Sequence, residues 1–164
     1  MRTLAHEDNT CRHSAVVSTP FGAVAIDADG EYVRQLSFLP TGVEEIAPGN
    51  QLAETAAQQV LAYVDDPEKP FSLPLAPAGT PFQQRVWQAI RRVPVGQICT
   101  YGELARNVGS VARATGQACG DNPYPLVVPC HRVVAASGAG GFAHHRDGYL
   151  MRTKQWLLAH EAMR

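Results

Sequence analysis

The run Val128-Pro129-Cys130-His131-Arg132 sets a thiol beside an imidazole, behind a proline whose ring fixes the backbone at its own position. A free thiol titrates near pH ~8.5 and its thiolate is the nucleophile, so a neighbouring base or cation decides whether the sulfur does chemistry. Asn122-Pro123 stands upstream, and Trp156-Leu157-Leu158-Ala159-His160-Glu161 lies near the C-terminus. Alone, Cys130 reads as a buried structural thiol and His131 as a core histidine. With Asn122 and Glu161 in order they form a constellation suited to nucleophilic chemistry. Adjacency does not establish a Cys130–His131 contact, because neighbours in an extended strand point to opposite faces.

The other cysteines, Cys11, Cys99 and Cys119, follow no Cys-x-x-Cys spacing, so neither a disulfide framework nor a paired metal site is expected, and Cys99 and Cys119 read as inert. His6, Cys11 and His13 lie close together in sequence but are short of cysteines for a structural zinc. The expectation is no metal.

The elements that must carry these residues can be read from periodicity. Residues 13–19, 23–27 and 32–38 are β-branched or alternating runs separated by Pro20-Phe21-Gly22 and Ala28-Asp29-Gly30, which predicts an antiparallel meander. Leu52, Ala56, Val60 and Tyr63 recur at helical spacing up to Asp65-Asp66-Pro67. Four prolines within 65–80 make that stretch a linker, dividing the chain into subdomains 1–79 and 80–164.

Thr80-Pro81-Phe82-Gln83 is a capping-box pattern that opens a helix with Phe82, Val86, Ile90 and Val93 as its stripe. Ile98-Cys99-Thr100 reads as a short strand and Tyr101–Val108 as a helix stopped by Gly109. Ser110 is a candidate cap for a second helix, Val111–Cys119, making a helix-turn-helix. Leu126-Val127-Val128 reads as a buried extended run into Pro129-Cys130, residues 137–141 as a glycine-rich loop, and Thr153–Met163 as a last helix.

Hydrophobic residues at 45% and charged residues at 18% describe a globular protein, and the apolar runs are too short to span a bilayer. The first eight residues carry two acids and no apolar stretch, unlike a signal peptide, which points to the cytoplasm. The net charge of −1 conceals an asymmetry: residues 1–79 hold 4 Lys+Arg against 11 Asp+Glu, and residues 80–164 hold 10 against 4. A basic C-terminal half is the footprint of a polyanion-binding region.

Val-Pro-Cys-His-Arg-Val-Val, Thr-Pro-Phe-Gln-Gln-Arg-Val-Trp, Thr-Tyr-Gly-Glu-Leu-Ala, Ala-Arg-Ala, Asn-Pro and Leu-Leu-Ala-His-Glu stand in this order. On these motifs the chain resembles the O6-alkylguanine-DNA alkyltransferases, closely over residues 80–161 and loosely before them. The resemblance implies an α+β fold of two subdomains: an N-terminal RNase H-like antiparallel sheet with one helix, and a C-terminal winged-helix-like domain containing the helix-turn-helix. It also implies direct-reversal repair by a monomer acting on double-stranded DNA at the nucleoid, with no cofactor and no membrane partner. An O6-alkylguanine, with O4-alkylthymine a further candidate, is flipped out of the duplex and its alkyl group moves irreversibly to Cys130.

The same resemblance distributes roles. His131 acts as base on the thiol through a water, Glu161 orients His131, Asn122 braces the turn, and Tyr101 donates to guanine N3. The carbonyls of Cys130 and Val133 read the exocyclic amine, and the Ala143 N–H meets O6. The pocket is assigned to Tyr101, Val133, Phe142, Ala143 and Trp87, although Trp87 and Trp156 also read as core from their spacing. DNA contacts fall to Thr100, Tyr101, Ser110, Ala112, Arg113, Ala114 and Gly116, with small residues suiting the minor groove and Arg113 filling the place of the flipped base.

Two stretches depart from the family's pattern. The turn Val108-Gly109-Ser110-Val111 is shorter than in many relatives. The stretch His144-His145-Arg146-Asp147-Gly148-Tyr149-Leu150-Met151 is longer and lacks a Gly-Gly pair, and its His144, His145 and Arg146 read either as phosphate contacts or as a solvated loop. Competing functions are a non-catalytic lesion-binding alkyltransferase-like protein, in which the cysteine is replaced, an alkylation-sensing DNA-binding regulator, and a cysteine hydrolase that regenerates its thiol.

Overall fold

The computed structural model describes residues 13–138, 140–145 and 147–163. Three strands, β1 (Ala15–Thr19), β2 (Gly22–Ala28) and β3 (Val33–Leu39), form an antiparallel sheet in the order β1-β2-β3, as the alternation predicts. Gly22 takes φ 136° in the β1–β2 turn, and a Cβ there would lie 2.3 Å from the Leu39 carbonyl oxygen, so the turn admits only glycine.

Helix α1 (Gln51–Asp65) crosses the sheet. Asn50 caps it, its side chain accepting from Ala53 N–H at 2.8 Å, and Ala53, Ala56, Ala57, Val60 and Tyr63 face inward. The proline-rich stretch after it contains no helix, yet it is tied to the sheet. Val33 N–H donates to Pro74 O and Ala76 N–H to Val33 O, which seats Leu75 beside β3.

Helix α2 (Pro81–Arg91) begins with the capping box read from sequence: Thr80 and Gln83 satisfy each other's backbone N–H groups. Val86 and Ile90 are buried, and Phe82 and Val93 only partly. Strand β4 (Cys99–Thr100) pairs in parallel with β5 (Val133–Val134). Helix α3 (Tyr101–Val108) carries a second capping box, Thr100 with Glu103, and ends at left-handed Gly109, φ 71°. Helix α4 (Ala112–Gly120) follows. Val111, not Ser110, is its N-cap and makes no side-chain cap bond; the Ser110 N–H is spent on the Ala105 carbonyl, closing the end of α3.

Two further expectations are corrected. Residues 126–128 are not an extended run. Leu126 takes φ 79°, Val128 N–H returns to Tyr124 O, and Cys130–Arg132 form a turn of 3₁₀ helix. Prolines at 125 and 129 and the Asn122 side chain, described below, impose this turn over the β-preference of the valines. The last helix, α5 (Tyr149–Ala162), starts four residues before Thr153, because Gly148 at φ 81° breaks the preceding loop and Tyr149 begins the regular backbone.

One buried cluster runs through both halves, from Val24, Ile26 and Leu36 in the sheet to Val86, Ile90 and Leu157. Leu36 N–H donates to Pro123 O, fixing the sheet edge directly against the turn that leads to Cys130. No helix among the described residues is long and apolar enough to cross a membrane.

Candidate active site

Asn122 organises the turn below Cys130. Its Oδ1 accepts from Tyr124 N–H at 2.8 Å, and its Nδ2 donates to Val128 O at 2.9 Å and to Cys130 Sγ at 3.3 Å. One amide therefore holds the start of the turn, its end and the sulfur. The 3₁₀ turn then sends Cys130 and His131 in different directions. Both are buried, with Cys130 on the floor of a cleft and His131 turned into the protein.

His131 Nε2 lies 2.7 Å from Glu161 Oε2. The carboxylate can only accept, so Nε2 carries the hydrogen and, in the neutral ring, Nδ1 keeps its lone pair. Nδ1 is buried and has no hydrogen-bond partner among the described residues. Glu161 also accepts from Arg132 Nε at 2.8 Å, Arg132 Nη2 at 3.0 Å and Tyr63 Oη at 2.6 Å. Arg132 Nη1 is anchored on Val93 O at 2.7 Å.

Protonation follows from these contacts. Burial alone would raise the Glu161 carboxyl, but hydrogen bonds from His131, Arg132 and Tyr63 outweigh it and hold the group far below the usual carboxylate range. Burial lowers the His131 imidazole against the pull of Glu161, so the ring is neutral at neutral pH with a free Nδ1 lone pair. Burial pushes the Cys130 thiol up, with Asn122 and Lys154 opposing. The resting sulfur is therefore a thiol and becomes a nucleophile only when a base takes its proton.

The cleft over Cys130 has a volume of about 480 Å³. Helix α4 forms one wall through Ala112, Arg113, Gly116 and Cys119, and residues 140–145 form the opposite wall. Tyr101 projects between them, its hydroxyl 3.4 Å from Gly141 O and its ring packed against Gly116 and Gly140. Arg113 and Ala112 are exposed at the mouth, and Ala114 and Gly116 are half-buried. Phe142 is buried beside Phe38, and Ala143 stands next to it in the wall. Ser110 lies outside the cleft in the turn between the helices, and Thr100 is occupied as the cap of α3.

Trp87 does not line this cleft. It packs on Gly79 and donates from Nε1 to Ala118 O at 2.9 Å, tying α2 to α4, which agrees with its reading as core. Trp156 stacks on His160 away from Cys130. His13 lies 3.1 Å from Asp27, while His6 and Cys11 lie outside the described residues.

Three contributors escaped the sequence reading. Lys154 is fully buried, with Nζ donating to Val133 O at 2.8 Å and Gly141 O at 2.9 Å, bridging β5 to the cleft wall. Burial lowers its pKa to about 8, so it is still mostly charged at pH 7. The Val133 carbonyl, assigned to a base amine, already accepts from this ammonium. Arg132 and Tyr63 complete the Glu161 cluster; the run in which Arg132 stands was visible, but its direction was not. Cys119 lines the cleft too, and burial pushes its thiol up to about 12, which leaves it inert.

Comparison with known proteins adds independent findings. The family profile described as 6-O-methylguanine DNA methyltransferase, DNA binding domain, matches residues 81–163. The methylated-DNA–protein-cysteine methyltransferase of Methanosarcina acetivorans is 36% identical over 153 residues, covering 88% of this chain and 94% of that protein. The crystal structure of Mycobacterium tuberculosis O6-methylguanine methyltransferase superposes with a TM-score of 0.78 at 34% identity, covering 93% of each chain. A structure from the same organism in complex with DNA gives 0.73 at 33% identity over 90% of this chain and 91% of that one.

Proposed function

The chain belongs to the 6-O-methylguanine DNA methyltransferase family, and from that premise we propose that it repairs DNA by direct reversal, moving the alkyl group of O6-alkylguanine irreversibly to Cys130. The observation that carries the assignment to this residue is a buried thiol on the cleft floor, held by Asn122 and followed in the chain by a neutral histidine oriented by a buried carboxylate.

The geometry supports the following sequence of events. Helix α4, with small residues on its exposed side, lies in the minor groove, and Arg113 fills the place vacated by the extruded base. The base enters the cleft between α4 and residues 140–145. Tyr101 donates a hydrogen bond to guanine N3 as negative charge builds on the leaving base. The thiol proton passes through water toward His131 Nδ1, the ring face that Glu161 leaves available. The Cys130 Sγ–carbon bond forms as the carbon–O6 bond breaks, and guanine regains a proton, so the thiol proton balances the product. Ala143 N–H faces O6 in this reading, and the Cys130 carbonyl takes the exocyclic amine. The Val133 carbonyl can share that amine only alongside Lys154.

Cys130 is left as a thioether with no route back to a thiol, so one molecule repairs one lesion. The basic C-terminal half carries DNA binding and chemistry as one subdomain of winged-helix type, and the N-terminal sheet and helix belong to an RNase H-like subdomain that braces it. The protein works as a monomer on double-stranded DNA at the cytoplasmic nucleoid and uses no cofactor. The presence of Cys130 disfavours a lesion binder without chemistry.

Stoichiometry tests this. With a large excess of duplex carrying O6-methylguanine, the guanine restored should equal the protein added and then stop. Continued turnover would identify a hydrolase, and no restored guanine would exclude the transferase.

A further inference from the structure

We propose that His144, latched to Asp121, sets the size of alkyl group that the cleft accepts, a reading that rests on the transferase function above. Residues 142–145 form a tight turn in which Phe142 and His145 exchange both backbone hydrogen bonds, at 2.7 and 2.8 Å. Its central residues, Ala143 and His144, both have positive φ, 50° and 68°. That pattern belongs to turns that normally hold Asn-Gly, and two residues with side chains there are strained unless the surroundings hold them.

The surroundings do hold them. His144 Nε2 lies 2.8 Å from Asp121 Oδ1, and Asp121 Oδ2 accepts from Gln83 Nε2 at 3.2 Å. The imidazole fits the notch at Gly120, where a Cβ would come within 2.3 Å of its ring. A histidine at 144 and a glycine at 120 are thus complementary in shape, and the Asp121 carboxylate completes the seat. The result is a bridge from the loop wall to the C-terminal end of α4, across the same cleft that Cys130 floors. It fixes the separation of the two walls, so a methyl group fits beside the sulfur and a bulky aromatic alkyl group meets the closed wall.

The test compares transfer to Cys130 from two duplexes of identical sequence, one carrying O6-methylguanine and one O6-benzylguanine, so that DNA binding is common to both. His144→Gly removes the imidazole and suits the positive φ, so the variant keeps its turn. Its benzyl-to-methyl rate ratio should rise roughly tenfold or more, the scale of discrimination by pocket shape. Asp121→Ala should raise the ratio by less, and should add nothing when combined with His144→Gly.

An unchanged or lowered ratio in His144→Gly would overturn the latch, as would an Asp121→Ala effect that persists in the His144→Gly background. Failure of the parent reading looks different: the unaltered protein would then transfer neither group.

Discussion

His131 and Glu161 approach to 2.7 Å with side chains 1% and 2% exposed, while His144 and Asp121 approach to 2.8 Å with side chains 42% and 41% exposed. The two contacts flank the same cysteine and look alike as distances, but solvent makes them different objects. Removing the Glu161 carboxylate leaves the buried Arg132 charge uncompensated and costs about 3–5 kcal/mol, whereas an exposed pair contributes about 0–1 kcal/mol. The His131 side of Cys130, proposed to deliver the base, is therefore locked through Arg132, Tyr63 and Val93. The His144 side is held by an exposed contact together with the fit of the imidazole at Gly120. The two lie on separate elements, α5 with the 3₁₀ turn against α4 with the 140–145 wall.

The largest effect should come from Glu161→Ala. It strands Arg132 and removes the partner that orients His131, and urea unfolding should show a loss of about 3–5 kcal/mol, with alkyl transfer falling alongside. A loss below about 1 kcal/mol would place the two flanks on equal footing and break the contrast.

Lys154→Met keeps bulk but leaves the Val133 and Gly141 carbonyls short of a donor, at about 1–3 kcal/mol. It also changes the pH dependence. The folded pKa near 8 lies below the unfolded value of about 10.4, so between these pH values the unfolded chain binds more protons and stability rises with pH. Wild-type stability minus that of Lys154→Met should therefore increase from pH 8 to pH 10, measured by denaturant titration. A flat difference would show that the ammonium is not buried between the Val133 and Gly141 carbonyls.

Asn122→Ala should cost about 2 kcal/mol by freeing Tyr124 N–H, Val128 O and the sulfur together, and transfer should slow because the turn no longer presents Cys130. Arg113→Ala should leave stability unchanged. It should slow repair of duplex about tenfold, within the few kcal/mol that base extrusion costs, while reaction with the free base O6-methylguanine is unaffected. Equal losses on both substrates would remove Arg113 from the extrusion step.

Much of this architecture was legible because local chemistry announced it. Thr80 with Gln83 and Thr100 with Glu103 carry their own start signals, and Gly109 its stop. The meander followed from alternation, and the motifs singled out Cys130, His131, Asn122, Tyr101 and Arg113 as candidates. What stayed hidden depends on tertiary context. Lys154 lies on a helix whose sequence does not separate apolar from polar faces, and a lysine is by default a surface residue. The turn at 126–132 was misread because Leu-Val-Val prefers strand, and only the reach of the Asn122 side chain shows why it folds back. The His144 seat needs Gly120 and Asp121, 24 and 23 residues earlier in the chain, and no periodicity links them.

The proposed transfer makes Cys130 the permanent acceptor of the alkyl group. It is checked by incubating the protein with duplex containing O6-methylguanine, weighing it intact and mapping the modified peptide. A mass gain of one methyl group is expected, found on Cys130 alone and absent in Cys130→Ala. An unchanged mass with tight lesion binding, or a methyl group on Cys119, would contradict it.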